Sequence, residues 1–268
     1  MSRLAILAGR GALPALVAAA QDEPPLIACL DGFTPDGVTP DITFRIERLV
    51  PFLRHLEDQG VTTVTFAGAA HRPRLDPAMF DADTAQMVPR FLSAMQGGDD
   101  ATLRVVIDIF SEAGFAVEGV AQVAPSLVPS AGIHAGEPTA RDRADADRAA
   151  AIVAALGAVD VGQGAVVVQG LCLAAEALPG TDAMLAAVAA LPAHLRPDPA
   201  RGRGLIYKAP KPGQDRRIDL PALGPATVEA AAQAGLGGIA WEAGGVICLD
   251  LPAMQAAAAR LGLFLWAR

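Results

Sequence analysis

Short, unbroken apolar runs and longer stretches of helical period take turns along this chain. LAILAG at 4–9 is apolar throughout, as a strand covered on both faces is, and ALPALVAAA at 12–20 follows it as a helix. LIACL at 26–30 predicts a second strand, VPFLRHLEDQG at 50–60 a helix stopped by glycine, and VTTVTFAG at 61–68 another strand. In DDATLRVVIDIFSEAG, 99–114, apolar residues recur at 103, 106, 107 and 110, and two acids open the segment where a helix dipole favours them. FAVEGV reads as the next strand.

Residues 124–138 are rich in Pro, Gly and Ser and read as a linker or crossover between two domains. RDRADADRAAAIVAALG then predicts a helix whose charged opening is a solvated face. GAVVVQG at 164–170 is a buried strand, and GTDAMLAAVAAL at 180–191 a helix that Thr181 or Asp182 is placed to cap. GLIYKA is a strand, and GPATVEAAAQAG a helix with Pro225 in its first turn and Gly235 past its end. GGIAWEAGGVICLD reads as a hairpin around Ala243, Gly244 and Gly245, and a last helix and LFLW close the chain. The rhythm predicts an α/β fold of two domains. Residues 1–130 would form an N-terminal domain with a Rossmann-like parallel sheet, and 131–268 a C-terminal α/β domain.

Composition sharpens this picture. Hydrophobic residues make up 52% and aromatics 4%, so the cores must be built from Ala, Val, Leu and Ile. A net charge of -8 argues against nucleic acid as a partner, which would want a basic footprint. Cys29, Cys172 and Cys248 each fall in or beside an apolar run and read as small buried hydrophobes of a reducing compartment. No run approaches the roughly 20 apolar residues of a membrane span. RLAILAG reads as a strand broken by GRG, not as a signal peptide, so the expectation is a cytoplasmic protein.

Four places carry candidate chemistry. Gly9-Arg10-Gly11 follows the first strand, where backbone N–H groups can meet a phosphate; Pro14 stands where a dinucleotide fingerprint wants Gly or Ala. Gly97-Gly98-Asp99-Asp100 is either a helix cap or a glycine turn that brings Gly98 and Asp99 to a ligand. Glu176 lies in an apolar run and needs a basic group or a metal as partner, with the turn and helix start Gly180-Thr181-Asp182 close behind. KAPKPGQDRRID, 208–219, sets Lys208, Lys211, Arg216 and Arg217 among Asp215 and Asp219 on a non-helical segment leaving a strand end. Cations neutralise phosphate oxygens and carboxylates recruit Mg²⁺, so this mixture suits phosphoryl chemistry.

GRGALP, GGDDATLR, VVVQGLCLAAEALPGTDAML and KAPKPGQDRRIDLPALGPATVEAAAQAGLGGIAWEAGG, in this order, resemble the LpxI-type UDP-2,3-diacylglucosamine pyrophosphatases. The resemblance spans essentially the whole chain. It implies a hydrolase of lipid A biosynthesis that splits the pyrophosphate of UDP-2,3-diacylglucosamine into UMP and 2,3-diacylglucosamine 1-phosphate (lipid X), with Mg²⁺ or another divalent cation and water attacking the sugar-side phosphorus. It also implies that residues 1–130 are a nucleotide-binding-like domain and 131–268 a lipid-sugar and catalytic domain, with the ligand held between them. Carried onto these residues, Gly9, Gly11, Leu13 and Pro14 would face the uridine or its phosphate. Asp219 would be the essential carboxylate, with Asp215 second. Lys208, Lys211 and Gln214 would hold the diphosphate, with Arg217 also binding substrate. Glu176, Thr181, Asp182 and Gly180 would complete the sugar or metal site, Asp219, Asp182 and Glu176 being the candidate ligands. Diacylated substrate wants an apolar surface, which MLAAVAALPAHL could supply. Peripheral attachment to the inner membrane and a homodimer are further options. The competing readings are an NAD-dependent Rossmann oxidoreductase, resting on GRG and Asp31, and a non-catalytic nucleotide-sugar binding protein.

Overall fold

The computed structural model describes residues 3–70, 75–96 and 99–268. The chain divides into two compact units. One comprises Met1–Ser126 with Asp215–Asp219, the other Leu127–Gln214 with Leu220–Arg268.

The first unit alternates strand and helix. β1 (Arg3–Ala8) leads to α1 (Leu13–Ala19), then β2 (Leu26–Leu30), β3 (Ile42–Phe44), α2 (Leu49–Asp58) and β4 (Val61–Ala67). Helices α3 (Ala82–Ala85), α4 (Val88–Gln96) and α5 (Asp99–Glu112), strand β5 (Ala116–Val117) and α6 (Val120–Val123) complete it. The five strands form a wholly parallel sheet in the order β3-β2-β1-β4-β5. Its core joins Ala5 and Leu7 of β1 to Phe52 and Leu56 of α2 and to Ile107 and Phe110 of α5. Most of the phenylalanines lie in this unit: Phe44 stacks on Phe52 at 3.9 Å and Phe66 meets Phe110 edge-on at 5.5 Å.

The second unit is built on a six-stranded mixed sheet. Its elements are β6 (Gly132–Ala135), α7 (Ala140–Ala158), β7 (Gly164–Val168), β8 (Leu171–Ala175), α8 (Gly180–Ala189), β9 (Leu205–Lys208), β10 (Ala222–Leu223), α9 (Pro225–Gln233), β11 (Gly238–Trp241), β12 (Ile247–Cys248), α10 (Leu251–Leu261) and β13 (Phe264–Ala267). The sheet order is β6-β13-β11-β9-β7-β8, with β9, β11 and β13 parallel to one another. Strand alternation sends Ala165, Val167, Leu205, Tyr207 and Ala240 towards α7, and Val166, Ile206, Ile239 and Trp241 towards α8, α9 and α10.

Three local expectations give way, and the second sheet proves to be mixed. The hairpin at 237–250 does not form: β11 is flanked on both edges by β9 and β13, and β12 pairs with β10 in a separate two-stranded sheet. The segment read as a linker contains β6, which pairs antiparallel with β13. The second sheet is mixed, because β7 runs antiparallel to both β8 and β9. The charged opening of α7 is not all solvated: Asp142 and Asp145 are buried. Asp142 closes a capping box with Thr139, and Asp145 accepts from the backbone N–H groups of Gln169 and Gly170 at 2.9 and 2.6 Å. Among the described residues, no helix is long and apolar enough to cross a membrane.

Candidate active site

In the second unit, Lys208 ends β9 at the carboxyl end of the parallel strands and turns its side chain to the face that carries α8. The ammonium donates to Thr181 Oγ1 at 2.6 Å and lies 3.4 Å from Glu176 Oε2. The Thr181 hydroxyl donates to the same carboxylate at 2.6 Å. Lys208 is 5% exposed and Glu176 9%. The partner that Glu176 required is therefore a lysine. Thr181 is no helix cap: it lies inside α8, whose N-cap is Pro179, and spends its hydroxyl on the pair. Gly180 has φ +84, a left-handed turn that only glycine takes without strain, and Asp182 is exposed in the first turn of α8.

Lys211 and Gln214 serve the segment that follows β9. Lys211 pairs with Asp160, and its backbone N–H donates to Gln214 Oε1 at 3.0 Å. The same oxygen accepts from Gln163 at 2.9 Å.

The first unit holds the other candidates. Gly9 donates to Ala67 O at 2.8 Å, and Arg10 and Ala69 exchange backbone hydrogen bonds. A Cβ on Gly9 would lie 2.5 Å from Ala69 O, so close backbone approach explains this glycine. Gly11 has φ +91 and open space where a Cβ would be. Leu13 and Pro14 open α1, with Pro14 buried. Asp215 accepts from Arg217 through its backbone N–H at 3.0 Å and its guanidinium at 2.6 to 3.2 Å. That hydrogen bonding holds the Asp215 carboxyl below the usual range and lifts Arg217 above its own. Asp219 is exposed and sits at φ +63, a left-handed conformation in which Asp is enriched. Gly98 lies outside the described residues, and Asp99 is described only as the first residue of α5.

Of the acids expected as metal ligands, Asp219 belongs to the first unit and Asp182 and Glu176 to the second. Among the described residues, no three His, Cys, Asp or Glu side chains come close enough to hold an ion. Glu176 is committed to Lys208 and Thr181. Gly162 and Gly164 were missed by the sequence reading. A Cβ at Gly162 would lie 2.0 Å from Glu176 O, and one at Gly164 would lie 2.8 Å from Glu176 Oε2. The visible signal was GQG, whose second glycine opens a buried strand.

Residues 3–127 match the family model of the LpxI N-terminal domain, and residues 129–266 match that of the LpxI C-terminal domain. The chain belongs to the LpxI family. A curated LpxI relative, the UDP-2,3-diacylglucosamine pyrophosphatase LpxI of Caulobacter vibrioides, is 39% identical over 270 residues, spanning 98% of this chain and 96% of the relative. Membership in LpxI sets the oxidoreductase reading aside. Its structural basis was already thin, since the Gly9 turn abuts the end of β4.

Proposed function

We propose that this chain hydrolyses the pyrophosphate of UDP-2,3-diacylglucosamine to UMP and 2,3-diacylglucosamine 1-phosphate, a step of lipid A biosynthesis. The carrying observation is the near full-length relation to a UDP-2,3-diacylglucosamine pyrophosphatase. In this reading, water attacks the sugar-side phosphorus, its bond to the bridging oxygen breaks, and UMP departs with that oxygen. The Lys208 ammonium meets the negative charge that gathers on the phosphoryl oxygens, in a site where burial strengthens the attraction. Asp219 orients the water or a cation.

Mg²⁺ belongs to the same proposal. Mg²⁺ commonly binds through one or two carboxylates and the substrate's own phosphates, so a preassembled protein cage is not required. Asp219, an exposed hard-oxygen donor, fits that role; Glu176 does not. Bound there, the ion would neutralise phosphate charge. Peripheral attachment to the inner membrane is supported by the exposed Leu171 and Leu178, and failure to pellet with vesicles carrying the substrate lipid would remove it.

The test is incubation of the purified protein with UDP-2,3-diacylglucosamine and Mg²⁺, followed by chromatography for UMP. UMP should form, stop forming in EDTA and reappear with added Mg²⁺. UDP as the nucleotide product, or binding without turnover, would overturn the reaction; full turnover in chelator would overturn the cation. Asp219→Asn, which keeps the tolerance for a left-handed backbone, should lower turnover by about 100-fold or more.

A further inference from the structure

A lysine and a glutamate buried as a pair are a poor source of stability, because desolvation offsets most of their attraction and apolar residues of similar volume serve as well. The pair in the second unit is nonetheless closely built. The Thr181 hydroxyl has one arrangement open to it, accepting from Lys208 and donating to Glu176, both at 2.6 Å. Glu176 is fixed in turn by its backbone N–H, which donates to Gly164 O at 2.8 Å. Gly164 leaves room for the carboxylate where any Cβ would lie 2.8 Å from Oε2. Gly164 and Lys208 are also register partners across β7 and β9, so the strand that holds the Glu176 backbone is paired with the one that carries the ammonium, while α8 brings the hydroxyl to both. What such a triad supplies is direction. Among the described residues the ammonium meets Thr181 and Glu176, and an ammonium has three protons to give, so one can serve an acceptor on the substrate.

We propose that Glu176, acting through Thr181, is a positioning residue that aims the Lys208 ammonium at a phosphate oxygen of the substrate. The role rests on the reading that Lys208 meets the diphosphate. It replaces the expectation that Glu176 ligates a metal.

Steady-state kinetics on UDP-2,3-diacylglucosamine separate the two layers. Lys208→Met should lower kcat by about 100-fold or more; near wild-type kcat there would sink the reading of Lys208 and the proposal with it. Gly164→Ala removes no charge and displaces only the flexible end of Glu176. It should lower kcat about tenfold, with KM changed less than about twofold, because misplacement by an ångström costs up to about 100-fold. Thr181→Val should behave alike, and Thr181→Ser should recover most of the loss. Glu176→Gln should cost about 10- to 100-fold alone and nothing further in the Lys208→Met background. That double variant leaves no lone buried charge, so a circular-dichroism melt can show it folded. An inactive Lys208→Met beside fully active Gly164→Ala, Thr181→Val and Glu176→Gln would overturn the positioning role while leaving Lys208 its own. Further loss from Glu176→Gln in the Lys208→Met background would also overturn it, by showing that Glu176 acts independently.

Discussion

Cys172 and Cys248 are one residue type in opposite surroundings. Cys248 is 1% exposed, and burial pushes its thiol up to about 12. Cys29 is buried as well, while Cys172 lies exposed on β8, an edge strand of its sheet. The sequence reading placed all three inside; it fails at Cys172 because an apolar run does not reveal which strand ends up at an edge. Reactivity follows the thiolate and access to it. At pH 8, a disulfide reagent such as Ellman's should therefore titrate one thiol of the native protein and all three cysteines after denaturation. Cys172→Ser should abolish the native reaction. A second fast thiol in that variant would contradict the burial of Cys29 and Cys248.

At the scale of elements, the β7–β8 hairpin shows how a helix can specify a turn. Val168 pairs with Leu171, so Gln169 and Gly170 form a two-residue loop, and their φ values of 54° and 80° are those of a type I′ turn. Gln169 is a less suited residue there than Asn, and its side chain is held by Asp198 O and Gly202 O at 2.6 and 3.0 Å. Asp145 of α7 then receives both turn N–H groups. Asp145→Ala should lower stability in urea unfolding by about 2 kcal/mol, the range of hydrogen bonds to a charged acceptor. Asp145→Asn should fall between, since its amide can accept from one N–H but sets donors against the other. An unchanged midpoint for Asp145→Ala would show that water caps the turn equally well. This hairpin also marks where sequence reading stops. β1, β2, β4, α2 and α9 carry their signals locally, in unbroken apolar runs, terminal glycines and Pro225, and their positions were legible. β6 exists because of its distant partner β13, and β8 because of a hairpin turn that Asp145 and the carbonyls of Asp198 and Gly202 hold, so nothing within GIHA or LCLAA announces them. The same holds at the site. The need of Glu176 for a partner was readable from its apolar neighbours, but that the partner is Lys208, through Thr181, depends on bringing β8, α8 and β9 together.

On the scale of the whole molecule, the consequential feature is that the first unit is not one continuous stretch. The chain leaves the second unit after Gln214, contributes Asp215–Asp219 to the first, and returns at Leu220. The excursion is anchored by packing. Ile218 is 8% exposed within the core that includes Phe52, Phe110 and Val117, and Gly119 admits the segment's backbone, where a Cβ would lie 2.8 Å from Arg217 Cα. The Asp215–Arg217 pair braces the turn beside it. The charged stretch at 208–219 is thus two pieces, Lys208 and Lys211 serving one core and Ile218 the other. Ile218→Ala should therefore weaken the first unit by about 2–4 kcal/mol, the cost of truncating a buried aliphatic side chain. Both tryptophans, Trp241 and Trp266, belong to the second unit, so their fluorescence reports on that unit while far-ultraviolet dichroism reports on both. In urea, Ile218→Ala should lose part of its dichroism before its tryptophan emission shifts, whereas the parent should show a smaller separation. Coincident transitions at the parent midpoint would mean that Ile218 contributes nothing to the first core.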